Sequence, residues 1–301
     1  MNIIETQALT RRFGKMEAVH DLTLHVPEGS VFALLGSNGA GKTTTLKLLM
    51  NLLAPTAGSA RVLGVDSRRF GEREFAQIGY VSENQQQPLW MTVRQFLDFC
   101  RPLYPTWDRA LEASLLRQFA LPESRKLSQL SRGMQMKAAL LSSLAYRPKL
   151  LVLDEPFSGL DPLVRDEFIR GVLEVSALGE WTVLVSSHDI EEVERLADRV
   201  AILDAGRLQL NETTESLQAR FRRVEVTGAR AAVAAAPGWL ELEVAGGLTR
   251  FVETRFDGNE SERKYREHFG TTAVSVQSLG LREIFMVLAR ASRNLPAEAS
   301  A

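Results

Sequence analysis

The chain has 301 residues, 36 Lys+Arg against 37 Asp+Glu for a formal net charge of −1, and 45% hydrophobic beside 24% charged residues. That balance provides material for a core and excludes a disordered low-hydrophobicity chain, a protein held to nucleic acid by overall basic charge, and, with Cys100 alone, a disulfide scaffold. No run approaches the roughly 18–20 apolar residues of a membrane helix, and the opening MNIIETQALTRRFG lacks the apolar centre of a secretory signal, so a cytoplasmic protein that meets any membrane through a partner is expected.

Residues 18–26, AVHDLTLHV, alternate apolar and polar before a turn at Pro27-Glu28-Gly29, and Val31–Leu35 is a wholly apolar run of buried-strand type. A glycine-rich turn follows, and Lys42 to Leu53 reads as helix until Ala54-Pro55-Thr56-Ala57-Gly58 stops it. From 91 to 145 the period is helical, broken near Pro102, Pro105 and Pro122. Strand signals return at 150–153, 183–186 and 200–203, with helical stretches at 163–178 and 190–197. Buried strands alternating with helices predict a mostly parallel sheet covered on both faces, and the 91–145 block reads as a helical insertion. After Arg220 an Ala-rich stretch (229–236) precedes alternating residues at Leu240, Leu242 and Val244. Gly246-Gly247 then turns the chain into a return strand at 248–254. A charged helix at 259–268, a short strand at 273–276 and an apolar-faced helix at 281–291 complete a small α+β unit over 221–292. The tail 293–301 is expected to fray, and no internal repeat is found.

Gly36-Ser37-Asn38-Gly39-Ala40-Gly41-Lys42-Thr43 fits G-x-x-x-x-G-K-[ST] between a strand and a helix, with Thr44 continuing the first turn. Glycines let backbone N–H groups converge on phosphate, and the helix N-terminus adds favourable potential. Lys42 would reach the β- and γ-phosphates and Thr43 would ligate Mg²⁺. A glycine turn that merely closes a corner is the bland alternative, and Lys-Thr in this context favours nucleotide. Asp154 and Glu155 end the apolar run Leu150–Leu153, where unpaired charge is expensive. Asp154 would hold Mg²⁺ through water and Glu155 would orient and deprotonate an attacking water. The competing reading is two solvated acids at an exposed strand end.

Leu130-Ser131-Arg132-Gly133-Met134-Gln135 resembles the L-S-G-G-Q signature of ABC ATPases, and other motifs of that family stand around it in order. Phe13-Gly14 resembles the adenine-stacking aromatic loop, and Ile78-Gly79-Tyr80-Val81-Ser82-Glu83 the strand leading to the Q-loop. Ser158-Gly159-Leu160-Asp161 resembles the D-loop, and Ser187-His188-Asp189 the switch histidine. The resemblance covers about residues 3–220 and is nearest to a bacterial exporter branch, YtrB-like, whose ATPase and membrane subunits are separate chains.

The resemblance implies an α/β P-loop NTPase (ABC ATPase) core over 1–220 with an antiparallel β subdomain and a helical subdomain at about 84–145. It implies Glu155 and His188 as catalytic, and Phe13 and residues Gly36 to Thr44 as ATP-binding. Thr43, Glu83 and Asp154 would hold Mg²⁺, and Asp161 belongs to the D-loop. Ser131, Arg132, Gly133 and Met134 would face the nucleotide of a second subunit, so the chain is expected to dimerise around two ATP molecules, with itself or with a related ATPase. ATP hydrolysis would drive an integral membrane permease on another chain, as an exporter, with this chain peripheral on the inner face of the cell membrane and no nucleic-acid partner. A non-transport soluble ABC ATPase acting on a macromolecular complex is the alternative. A small P-loop kinase or GTPase leaves the signature and His188 unexplained, and no N-K-x-D motif reads guanine.

Three positions depart from the family pattern. Glu83 stands where most members have glutamine, with Gln85-Gln86-Gln87 as substitutes if the loop is shifted. Arg132 and Met134 replace Gly and Gln, and Arg132 either reaches nucleotide or faces solvent. Phe13 alone would read as core, its adenine role coming from the resemblance. Trp90, Phe96, Phe99, Tyr104, Trp107, Met134 and Met136 read as core at helical spacing, with a groove for the membrane subunit as the alternative.

Overall fold

The computed structural model describes residues 1–176, 181–228, 236–271 and 273–294. The Ala-rich stretch, except Ala236, and residues 295–301 of the expected frayed tail lie outside the described residues. The chain divides into two compact units, Met1–Asn211 and Glu212–Ala301.

In the first unit, β1 (Asn2–Phe13) pairs antiparallel with β2 (Met16–Leu22) and β3 (His25–Pro27). After β4 (Val31–Leu35) and α1 (Lys42–Leu49), the same antiparallel sheet gains β5 (Ala57–Val62) on β1 and then β6 (Val65–Asp66). Helix α1 stops four residues before the expected Leu53. Asn51 takes φ 54° and the Leu52 amide reaches back to the Lys47 carbonyl at 2.9 Å, a left-handed termination that uses up the last carbonyls.

A short α2 (Glu72–Phe75) leads to β7 (Ile78–Ser82). The block that follows holds α3 (Val93–Cys100), α4 (Arg109–Gln118) and α5 (Arg132–Leu144), with no strand among its described residues. A buried carboxylate ties its first two helices. Glu112 of α4 accepts from Arg94 Nη1 at 2.9 Å and Arg101 Nη2 at 3.0 Å, and from Trp107 Nε1 at 2.6 Å. Phe96 and Met136 are core as expected. Trp90 and Phe99 are not: they are exposed, as are Leu89 and Leu103, because neither side chain lies on the buried face.

Next come β8 (Leu150–Asp154), α6 (Pro162–Ser176), β9 (Thr182–Ser187), α7 (Ile190–Glu194), β10 (Arg199–Asp204) and β11 (Arg207–Thr213). They complete a sheet ordered β11-β10-β4-β9-β8-β7, parallel from β10 to β7. Strands β4 and β8 are buried at every residue, which is why they read as unbroken apolar runs. One core joins the two sheets through Ile4, Leu9, Leu22, Phe32, Leu46, Val62 and Leu184. The expected class, an α/β P-loop core with an antiparallel β subdomain and a helical block, is what forms.

The second unit contains α8 (Thr214–Arg220), β12 (Arg222–Thr227), β13 (Trp239–Ala245), β14 (Leu248–Glu253), α9 (Gly258–Phe269), β15 (Val274–Ser278) and α10 (Leu281–Asn294). Its antiparallel sheet runs β13-β14-β12-β15. The division precedes the expected boundary at 220 because α8 is bound into this unit: Arg220 Nη1 donates to the Thr254 carbonyl and the Phe256 amide to the Arg220 carbonyl. Trp239 stacks on Phe251 at 4.0 Å between ring centroids, with Tyr265 and Phe269 closing the cluster. Phe251 is fully buried, so Phe251→Ala should cost about 3–5 kcal/mol. Denaturant unfolding of the full chain measures this, and a loss under about 1 kcal/mol would contradict the packing.

Candidate active site

The parallel sheet brings polar strand ends to one edge. The register sets Asp154 beside Ser82 on one side and Ser186 on the other, and Leu35 beside Ser187. Residues after the carboxyl ends of such strands face a common crevice.

The cradle begins where β4 ends. At Gly36 a Cβ would come within 2.5 Å of the Leu203 carbonyl oxygen, and at Gly41, φ 102°, within 2.4 Å of the Ala18 carbonyl oxygen. Any side chain at either place would push the loop off its neighbours. Ser37, Asn38 and Gly39 are exposed, and the Ala40 amide closes the turn on the Ser37 carbonyl at 3.1 Å. Gly41 is the N-cap of α1 and supplies no side-chain acceptor, so the first-turn amides of Lys42, Thr43 and Thr44 remain for an anion. The Lys42 side chain is 5% exposed. Its Nζ donates to the Gly36 carbonyl at 2.8 Å and the Ser37 carbonyl at 3.2 Å, and pairs with Glu155 Oε1 at 3.0 Å.

Asp154 is also buried, and its Oδ1 accepts from Thr43 Oγ1 at 3.0 Å and Ser186 Oγ at 2.8 Å. Glu155 has φ 51°, a left-handed conformation unfavourable for a side chain of its size. Its amide is held by Ser186, at 3.2 Å to the carbonyl and 3.1 Å to Oγ. This twist turns the carboxylate toward the cradle, where one oxygen meets Lys42 and the other lies 2.7 Å from His188 Nδ1. Thus Lys42, Thr43, Asp154, Glu155 and His188 form one connected set, with Ser186 as a member that sequence reasoning missed. Its available signal was a pair of serines ending a buried strand just before His188.

The residues fit Mg²⁺ and a nucleoside triphosphate. An uncapped helix start with a buried ammonium suits phosphate. One carboxylate and one hydroxyl 3.0 Å apart suit an ion that keeps most of its ligands as water and phosphate oxygens.

A second set lies around Glu83. Its amide donates to the Asp154 carbonyl at 3.0 Å, and its Oε1 accepts from Arg132 Nη2 at 2.5 Å and Ser158 Oγ at 2.8 Å. Arg132 is about half exposed, and in addition to facing solvent it bonds the Glu83 carboxylate of its own chain. Ser131 caps α5 by accepting the Met134 amide at 3.2 Å. Gly133 is buried so closely that a Cβ would meet Val164 Cγ1 at 2.4 Å. Asp161 accepts the Leu163 and Val164 amides at the start of α6, both at 3.1 Å. Phe13 is exposed at the end of β1 with the Arg11 guanidinium 4.6 Å over its ring, so it is not core. Gln87 Nε2 donates to the Gln135 carbonyl.

Behind the switch histidine, Glu192 of α7 is buried. It forms an ion pair with Arg165 Nη1 of α6 at 2.8 Å and accepts from Ser187 Oγ at 3.2 Å. Burial pushes its carboxyl up from 4.5 to about 7, against the pull of Arg165. This tie between the D-loop helix and the switch helix was also missed, since its partners carry no local pattern.

An ABC transporter family profile matches residues 19–158. The chain is 31% identical over 223 residues to the bacitracin transport ATP-binding protein BcrA of Enterococcus faecalis, covering 73% of this chain and 72% of BcrA. It is 27% identical to the ABC transporter ATP-binding protein YtrB of Bacillus subtilis (strain 168), over 74% of this chain and 76% of YtrB. It is 35% identical to the probable multidrug ABC transporter ATP-binding protein YbhF of Escherichia coli (strain K12), over 72% of this chain but 38% of YbhF, so it spans well under half the length of that relative. A solved ATP-binding subunit of an ABC transporter shares the fold with TM-score 0.65 and 29% identity, covering 72% of this chain and 92% of that one.

The Glu192 carboxyl yields a pH dependence with a definite sign. Between pH 4.5 and about 7 the folded chain keeps a proton that the unfolded chain releases, so this group's contribution to stability falls as pH rises through that window. Glu192→Gln cannot lose the proton and should gain on the native chain in Tm as pH goes from about 5 to 8. Parallel curves would mean that the Arg165 attraction cancels burial, and a variant that loses ground that it outweighs burial; either would contradict the raised carboxyl.

Proposed function

This chain belongs to the family of ABC transporter ATP-binding proteins, and from that premise we propose that it binds Mg–ATP on the 36–44 cradle and hydrolyses it to drive a membrane permease. The single observation that carries the reading is the connected set Lys42–Glu155–His188 beside Asp154–Thr43. A triphosphate entering the cradle would give Lys42 a stronger anionic partner than Glu155, releasing the carboxylate. Glu155 would then orient a water and take its proton as that water attacks the γ-phosphorus and the bond to the β–γ bridging oxygen breaks, leaving ADP and phosphate. His188, already on the second Glu155 oxygen, would hold that carboxylate in line and contact the γ-phosphate. Thr43 and Asp154 would hold Mg²⁺, which when bound neutralises charge on the phosphates. Phe13 would stack on adenine, its exposed ring being free for this on the face away from Arg11.

The exposed start of α5 supports a second phosphate contact. Ser131 and Arg132 are exposed there, and in an ATP-bound dimer the Ser131 hydroxyl and the Gly133 amide would meet the nucleotide of the other subunit, with Asp161 between the two sites. The permease would be a separate integral membrane chain. Leu89, Trp90, Phe99 and Leu103, exposed on the helical block, are candidates for its contact. Among the described residues no helix is long and apolar enough to cross a membrane; a peripheral place on the inner membrane face follows from the proposed permease partner. Export is favoured because BcrA is named for bacitracin transport and YbhF for multidrug transport.

Glu155→Gln should bind Mg–ATP, lose about 100-fold or more in turnover, and accumulate as an ATP-dependent dimer on size exclusion. Ordinary turnover by this variant would contradict the assignment of the base. Copurification from membranes should recover an integral membrane chain, whereas recovery of ribosomes or DNA would favour the non-transport alternative.

A further inference from the structure

Two of the three positions at which this sequence departs from its family's pattern, Glu83 and Arg132, are 49 residues apart and touch. Arg132 Nη2 donates to Glu83 Oε1 at 2.5 Å, and Ser158 of the D-loop donates to the same oxygen. The guanidinium also lies close to Gly159, where a Cβ would come within 2.9 Å of Nη1. Glu83 is anchored at its backbone to the Asp154 carbonyl, which ties the Q-loop to the strand end whose side chain is expected to carry Mg²⁺. A glutamine and a glycine at these two positions carry no charge. A glutamate and an arginine carry opposite charges that sum to the same total.

We propose that Arg132 is a positioning residue that cancels the Glu83 charge and ties the Q-loop to the D-loop within one chain, so that the nucleotide meets a neutral Q-loop. The inference rests on the reading of the cradle as an ATP site. Two departures that looked independent in sequence then form one compensated pair. An uncancelled carboxylate in the Q-loop would add negative charge on the triphosphate's side of the chain and repel it. Because Arg132 is about half exposed and Glu83 one-quarter exposed, solvent and salt weaken the coupling, and the effect belongs to the range of a surface pair, about fivefold in binding.

The test is a double-substitution cycle on the full chain, read as the affinity for fluorescent Mg–ATP at protein concentrations too low for dimerisation. Arg132→Gly should weaken binding about fivefold at low salt, and high salt should shrink that loss. Adding Glu83→Gln to Arg132→Gly should bring affinity back to within about twofold of the native chain. Arg132→Gln repeats the charge removal with the helix start better preserved, Arg132→Lys should keep most of the affinity, and thermal melts report folding of each variant. An unchanged Arg132→Gly affinity, a loss insensitive to salt, or a double variant as weak as the single would overturn the pairing. Failure of the native chain itself to bind Mg–ATP would overturn the ATP-site reading, and the inference with it.

Discussion

A buried lysine needs a negative partner. The Lys42 side chain is almost fully enclosed, and an ammonium left unpaired in such a place costs several kcal/mol. Glu155 supplies the partner, but only because its backbone adopts a left-handed conformation that turns the carboxylate toward the cradle. The strain is held by two bonds from its amide to Ser186 on the neighbouring strand. Remove the parallel register of β8 and β9, and the lysine, the acid and the histidine no longer meet. A phosphate ligand would compete for that same ammonium, so ligand binding and release of the acid are linked by one ion pair.

The surrounding structure serves this constraint. Gly36 and Gly41 let the loop lie against the Leu203 and Ala18 carbonyls, which fixes the height at which α1 starts. Asp154 is satisfied by two hydroxyls rather than a cation, and a hydroxyl pair can be displaced by a metal at lower cost than a salt bridge. Further from the cradle, charge is again handled in pairs that join segments distant in sequence: Glu83 with Arg132, and Glu192 with Arg165. The first links the residue after β7 to the start of α5, and the second links α7 to α6.

Legibility in the sequence followed burial and locality. Strands β4 and β8 were readable nearly to the residue because both faces are covered, so every side chain is apolar until the functional end. Strand β1 was not read, since it is half exposed and its pairing with β2 and β5 is irregular, which breaks the two-residue alternation. Helix α1 was overextended because a left-handed asparagine leaves no apolar signal. Lys42, Thr43, Asp154 and Glu155 were found because phosphate chemistry imposes spacing on short motifs, and His188 through its place in the family's motif order. Ser186, the bond from Ser158 to Glu83, and the Arg132–Glu83 and Arg165–Glu192 pairs were not, because long-range side-chain pairing imposes none. Ser158 and Glu83, for example, are 75 residues apart.

The most direct measurement is a crystal structure of the native chain with Mg²⁺ and a non-hydrolysable ATP analogue. The expected result is Lys42 Nζ on the β- and γ-phosphate oxygens, withdrawn from Glu155, with Thr43 and Asp154 at the metal and the Glu155 carboxylate free to face the γ-phosphate. An analogue bound elsewhere, with the Lys42–Glu155 pair intact at its present 3.0 Å, would contradict it.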